Sequence, residues 1–370
     1  MSDCLYWIWL QNALGFGSNK ISEILLKIKS VEDFYHSGLS FWVSLSIFTQ
    51  SEIFRLSENL DNAKKICAKC DKLGYKIISL ESENFPEMLK NTSNPPCVLY
   101  ISGDFSVLLK KCVSIVGSRN ATIYGTQMAY EISRDLAKSG ITVVSGGAFG
   151  IDSSAHKGAI DAKGNTAAVL ACGIDYPYLV KNSSLRENIT NFGALVSEYP
   201  PGYQVRRFNF PVRNRIISGL SHSTVVIEAR KKSGAIITAN LAAEQGRDVF
   251  VVPVRFENPL SEGVNALIED GAKVITCAED ILKENFNFQN KNINLNKNNI
   301  NKISKKLDIP ERFKFILDKM GDKKIHIDEL RNLTKMPVYK LSVELSKLEL
   351  KGFVKKFPGK FYKLNIEKFN

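Results

Sequence analysis

Between positions 96 and 280 the chain repeats short apolar runs: "CVSIVG", "ITVVS", "TAAVLA", "ALVSEY", "STVVIEA", "DVFVVPV" and "KVIT". Between several of them lie stretches with a helical period, such as "GTQMAYEISRDLAKSG" and "GAIITANLAAEQG". Runs that are apolar on both faces and separated by helices predict an α/β domain with a doubly wound, mostly parallel, Rossmann-like sheet. In such a sheet, ligands bind beyond the carboxyl ends of the strands.

The flanks follow other patterns. Residues 1–95 read as a mainly helical domain anchored by Trp7, Trp9, Phe34, Phe41 and Trp42. Within it, Gly15-Phe16-Gly17 joins two apolar helices. That turn resembles a helix-hairpin-helix, whose backbone N–H groups meet DNA phosphates; the plainer reading is a tight turn in a small helical domain. The central domain is placed at 96–284. In 285–301, nine of seventeen residues are Asn, too little apolar surface to offset ordering entropy, so 285–307 reads as a linker. The remainder, 308–370, reads as three helices and a basic hairpin, a winged helix. Its recognition helix would lie around Tyr339 and Lys340, and its wing would carry Lys355, Lys356, Lys360 and Lys363 toward phosphates. The alternative for this domain is a winged helix that binds protein.

Charge sharpens the division. The net charge of +12 is concentrated near the C-terminus: residues 285–370 hold 20 Lys plus Arg against 9 acids, whereas residues 1–284 hold 30 against 29. An anion site in the body is therefore a local cluster. One is visible between Glu198 and Glu228, an acid-free stretch containing Arg206, Arg207, Arg213 and Arg215. The seven cysteines are scattered, which argues against a disulfide framework, and Cys67-x-x-Cys70 has no second ligand pair nearby for a metal. No apolar run is long enough to span a bilayer. Asp3 stands where a signal peptide needs positive charge, so the expectation is a cytoplasmic protein with no membrane association.

Four strand-end loops are built for anions. In "SIVGSRNATIYG", Gly117 permits close backbone approach, Ser118 offers a hydroxyl and an N–H, and Arg119 supplies a planar fork. In "VVSGGAFGIDSSAH", Ser145, Gly146 and Gly147 end a strand at a helix N-terminus. Asp152 and His156 share a face of that helix, either as an acid–base pair or, more plainly, as helix scaffold. In "YQVRRFNFPVRNRIISGLS", Arg206, Arg207 and Arg213 supply charge, Phe208 and Phe210 supply rings, and Asn214 follows. Guanidinium groups interleaved with rings suit single-stranded nucleic acid, where stacking is worth about 1–3 kcal/mol per base; otherwise both rings are core and the arginines pair with distant acids. In "EARKKSGAIITAN", Lys231 and Lys232 rim a turn at Ser233-Gly234, with Thr238 one helical turn on. Neither G-x-G-x-x-G nor the P-loop occurs in these loops. The pattern calls for no cofactor, no metal and no catalytic residue.

Taken in order, "GSR…YG", "SGGAFGIDSSAH", "YPYLVKNSSL", "GALVSEYPPG", "FPVRNRIISGLS" and "SGAIITA" resemble the bacterial DNA-processing protein A family, also called Smf. The resemblance covers about 97–280, and the flanks suit family members with an N-terminal domain of sterile-alpha-motif type and an optional winged helix. It implies a single-stranded DNA-binding protein of natural transformation. Such a protein shields incoming strands, hands them to the RecA recombinase past the resident single-strand-binding protein, and works as a homodimer. Carried onto this chain, the resemblance implies phosphate binding at Gly117, Ser118, Arg119 and the Gly146-Gly147 turn. It makes Arg207 a basic contact and Phe210 a stacking ring, with Asn214 and Ser233-Gly234 completing the groove. Two positions depart: "VPVRF" stands where Pro-Gly is common, and Ala235 where Ser is common.

Two other readings compete. The fold also suits phosphoribohydrolase-like enzymes acting on nucleoside monophosphates, but their P-G-G-x-G-T-x-x-E signature is replaced here by "VVIEARKKSGAIITA". A regulator is the other, its winged helix on duplex DNA and its central domain sensing a nucleotide.

Overall fold

A computed structural model of the chain describes residues 2–178, 183–255, 257–286, 311–320, 324–357 and 360–364. Of the 285–307 segment read as a linker, all but 285 and 286 lies outside the described residues. The chain forms two compact units, Met1–Asn287 and Phe288–Asn370.

The first unit opens with helices α1 (Ser2–Leu14), α2 (Lys20–Leu25), α3 (Val31–Ser44, broken at Gly38), α4 (Gln50–Leu56) and α5 (Asp61–Leu73). There follow β1 (Lys76–Ser79), α6 (Glu87–Lys90), β2 (Val98–Gly103) and β3 (Cys112–Val116). An alternating series continues: α7 (Ile123–Lys138), β4 (Thr142–Ser145), α8 (Ile151–Asp161), β5 (Thr166–Leu170), α9 (Ser183–Phe192) and β6 (Gly193–Ser197). Then come α10 (Asn209–Gly219), β7 (Ser223–Val226), α11 (Gly234–Glu244), β8 (Asp248–Val251), α12 (Ser261–Glu269), β9 (Lys273–Val274) and α13 (Ala278–Phe286).

All seven apolar runs contain the strands β3–β9, which build the parallel part of the sheet. The nine strands are ordered β1-β2-β6-β5-β4-β3-β7-β8-β9. Only the pairings of β2 with β1 and β6 are antiparallel. The runs of β3 to β7 are apolar on both faces because both faces are covered. Val113, Ile115, Val143, Val225 and Phe250 pack with α7, α8 and α13 on one side. Cys112, Val144, Val226 and Val251 join a second core shared with the N-terminal helices, α10 and α11. The strands β1 and β2 are additions to the sequence reading, and β1 comes from within the segment read as helical.

The connections run from β3 toward β4, β5 and β6 on one side and toward β7, β8 and β9 on the other. This reversal opens a crevice at the carboxyl ends of β3 and β7.

Among the described residues the second unit has three helices, Glu311–Met320, Ile327–Thr334 and Val338–Leu350, and a small sheet of β10 (Ile325–His326), β11 (Val354–Phe357) and β12 (Phe361–Leu364). Its strand order is β10-β12-β11, the arrangement of a winged helix. Phe313, Ile316, Leu330, Leu341, Leu345 and Tyr362 form its own core.

Candidate nucleic-acid interface

The crevice at the switch point holds a cavity of about 500 Å³. It collects Gly117, Ser118, Arg119, Arg207, Phe210, Arg213, Asn214, Lys232, Ser233, Gly234 and Thr238 from three of the four anion-ready loops. Arg230, which the sequence reading left out, completes the basic lining. Its signal was its place directly after the β7 run "STVVIEA".

The loop after β3 is wedged in place. A Cβ on Gly117 would lie 2.6 Å from Ile151 and 3.0 Å from the Glu228 carbonyl, so only glycine lets the turn pass between α8 and the β7 end. Ser118 donates its N–H to the Glu228 carbonyl at 2.7 Å, and Ser118 Oγ accepts from Asn120 N at 3.1 Å. The Ser118 N–H foreseen for phosphate is therefore engaged, while its hydroxyl proton stays available. The Arg119 side chain is exposed and rests on the Phe210 ring, its guanidinium carbon 5.0 Å from the centroid.

The turn after β4 departs from its expected role. Ser145, Gly146 and Gly147 are buried, and Ser145 Oγ donates to the Ile115 carbonyl at 2.7 Å. The N–H groups of Gly146 and Ala148 both donate to Asp152 Oδ2, at 3.2 and 3.3 Å. The turn does hold an anion, but that anion is the protein's own carboxylate. A Cβ on Gly146 would sit 2.8 Å from that oxygen and 2.7 Å from Arg213. Gly146 and Gly147 instead line a second, smaller cavity behind Phe210.

Arg213 belongs to the same scaffold. It is 6% exposed and donates to the carbonyls of Gly146, at 2.9 Å, and Val169. Burial raises the Asp152 carboxyl pKa, with the Arg213 charge acting against that rise, and burial lowers Arg213. His156 is fully buried and its Nδ1 lies 2.7 Å from Thr166 Oγ1. Since the Thr166 hydroxyl donates to the Val143 carbonyl, His156 Nδ1 must carry the proton. Burial, aided by Arg213, pulls its pKa down to about 3. A neutral, sealed imidazole has no acid–base role, which leaves the scaffold reading of Asp152 and His156.

The α10 and α11 N-termini complete the crevice. Neither first turn contains an acid. Asn214 Nδ2 and Thr238 Oγ1 both donate to the Gly234 carbonyl, at 3.1 and 2.9 Å, so these two brace the Ser233-Gly234 turn. Ser233 Oγ is buried and without a protein partner among the described residues. Arg215 is paired with Glu198 at 2.6 Å, both almost fully buried, and Gly17 N donates to the same carboxylate at 3.4 Å. Phe16 packs against Tyr199 and Tyr203 at centroid distances of 4.5 and 5.0 Å. The Gly15-Phe16-Gly17 turn thus fastens the N-terminal helices to the sheet, consistent with the plainer of its two readings.

What remains facing the cavity is cationic. Arg119, Arg207, Arg230 and Lys232 are exposed, and none forms an ion pair among the described residues. The sole acid in the lining among the described residues, Asp152, is already engaged. Phe210 is half-buried between Arg119 and Tyr178, the latter 5.8 Å away between ring centroids. Unpaired guanidinium groups, acid-free helix starts and a ring have the chemistry that suits phosphates with a base beside them. Among the described residues there is no group of three His, Cys, Asp or Glu able to hold a metal, and no helix is long and apolar enough to cross a membrane.

In the second unit, Lys355 and Lys356 on β11 and Lys360 before β12 are exposed. Lys355 stands directly opposite Lys363 in the register. Tyr339 and Lys340 both lie on the Val338–Leu350 helix; Lys340 is exposed, and the Tyr339 side chain lies outside the described set.

The same architecture occurs in proteins of known kind. The family model described as DNA recombination-mediator protein A matches residues 76–286, more than half the chain, and the one described as DprA winged helix domain matches 312–360. The DNA processing protein DprA of Bacillus subtilis is 40% identical over 60% of this chain and 74% of its own length. The crystal structure of DNA processing protein A from Streptococcus pneumoniae matches 76% of this chain and 97% of its own, with a TM-score of 0.66 and 30% identity. A Helicobacter pylori DNA processing protein A, whose structure was described for its single-stranded DNA binding mode, matches 56% of this chain and 94% of its own, with a TM-score of 0.52 and 32% identity.

Proposed function

The chain belongs to the DNA recombination-mediator protein A family, and from that premise we propose that it binds single-stranded DNA in the switch-point crevice and passes it to the RecA recombinase during natural transformation. The observation that carries the reading is the set of four exposed, unpaired cations around a 500 Å³ crevice with Phe210 in its wall. Arg119, Arg207, Arg230 and Lys232 take successive phosphates, and the Ser118 hydroxyl donates beside them. Phe210 stacks an unpaired base whatever its identity. Arg213, Asn214, Thr238 and the Ser145-Gly146-Gly147 turn hold those groups in place from below.

The chemistry is binding rather than turnover. Among the described residues the crevice offers one carboxylate, Asp152, already accepting two backbone N–H groups, and no histidine. In the cell the protein shields incoming strands, acts as a homodimer that lengthens the track, and displaces the resident single-strand-binding protein as RecA assembles. The wing lysines add affinity for the phosphate backbone. It needs no cofactor and works in the cytoplasm.

One comparison tests this: binding of a labelled oligo-dT strand, a duplex of the same length and AMP, at low and moderate salt. The reading requires preference for the single strand, weakening with salt, no AMP hydrolysis, and faster RecA filament assembly on a strand coated with single-strand-binding protein. Duplex preference or AMP turnover overturns it in favour of the regulator or the enzyme.

A further inference from the structure

The groups assigned to phosphate and to base touch each other. Arg119 lies over the Phe210 ring at 5.0 Å, and no ion pair or hydrogen bond holds its guanidinium elsewhere among the described residues. The ring is a partition between two cavities. On one side is the 500 Å³ crevice with Arg119, Arg207 and Arg230. On the other, among the described residues, is a space of about 10 Å³ lined by Tyr178, Arg186 and the buried Arg213, which also borders the crevice. No base fits a space of that size, so a base reaching Phe210 has to arrive from the crevice side, the face that Arg119 covers.

From this the geometry points to Arg119 as a specificity-determining gate: it occupies the stacking face of Phe210 until a phosphate draws it away and an unpaired base replaces it. The inference rests on the single-strand reading of the crevice. Moving Arg119 to a phosphate forfeits its cation–π contact with the ring, and a stacked base makes good that loss. A strand whose bases are absent or held in a duplex takes the phosphate contact without supplying the replacement. The two contacts are thus linked through one ring face, and the link favours strands with a free base beside the phosphate.

The linkage predicts a change of sign that two independent contacts do not. Phe210→Leu keeps apolar volume against Tyr178 but removes the ring, so Arg119 is released in advance. Binding is measured for wild type and Phe210→Leu on oligo-dT and on an abasic strand of equal length. The expected result is that Phe210→Leu weakens oligo-dT binding about tenfold yet tightens abasic binding about two- to fivefold. Phe210→Met, checked for the same thermal melting as wild type, gives the same signs, and in an Arg119→Gln background the gain on the abasic strand disappears. Abasic affinity that stays equal or falls in folded Phe210→Leu and Phe210→Met overturns the gate while leaving the single-strand reading intact. Failure of wild type to bind either strand overturns that reading, and the gate with it.

Discussion

Arg207 and Arg213 stand in the same acid-free stretch, yet the fold gives them opposite work. Arg207 reaches solvent at the crevice, whereas Arg213 is buried against the carbonyls of Gly146 and Val169, beside the Asp152 charge. Residue type and spacing showed a cluster of arginines; which of them is covered depends on neighbours brought in from β5 and α8. The same limit applied at Gly146-Gly147. Sequence shows donors at a helix start, but not that Asp152 folds back to take them. His156 offers a test of this scaffold. The unfolded chain binds a proton on His156 below about pH 6.5, while the folded state resists until about pH 3. Between those values the unfolded state binds more protons, so stability falls as pH drops. Asp152, shifted upward, acts in the opposite sense nearer its ordinary range, and His222, shifted downward by burial, acts in the same sense as His156. Melting temperatures at pH 7 and pH 5 should therefore drop less for His156→Gln than for wild type. Equal drops would mean that the imidazole is not sealed as described.

At the scale of elements, β3 to β7 were legible because each is buried along its length and so reads as an unbroken apolar run, whereas β8 is buried only in its second half and the two residues of β9 are exposed at the sheet edge. The edge strand β1 was not: "KIIS" offers two apolar residues in four, and its place follows from pairing with β2. The strand-end loops were legible because glycine, serine and arginine after such runs have few structural uses. Arg230 escaped notice as the tail of "VVIEAR". The α10 helix has a second duty, since Arg215 on it meets Glu198 at the end of β6 and shares that carboxylate with Gly17. Removing one partner of a buried pair strands the other, at a cost of about 3–5 kcal/mol. Glu198→Ala should lose that much in urea unfolding, and adding Arg215→Met should recover most of it. A loss below about 1 kcal/mol would show the pair to be incidental to the join between helices and sheet.

For the whole molecule, the sheet turns a chain with near-balanced charge over residues 1–284 into one with a local cationic crevice. Glu198 is engaged with Arg215, Asp152 with the backbone, and Glu228 with Thr122, so the acids nearest the crevice are turned inward. The cations left facing outward are Arg119, Arg207, Arg230 and Lys232. That sorting, more than total charge, gives the crevice its cationic lining, on which its proposed role as a track for a polyanion rests. Its most direct test is the salt dependence of oligo-dT binding by wild type and Arg230→Ala. Each phosphate neutralised on a single strand contributes a slope of about 0.7 to the fall of log K with log salt. Arg230→Ala should bind more weakly, with a slope shallower by about 0.7 and an unchanged melting temperature. An unaltered affinity and slope in the folded variant would contradict that role.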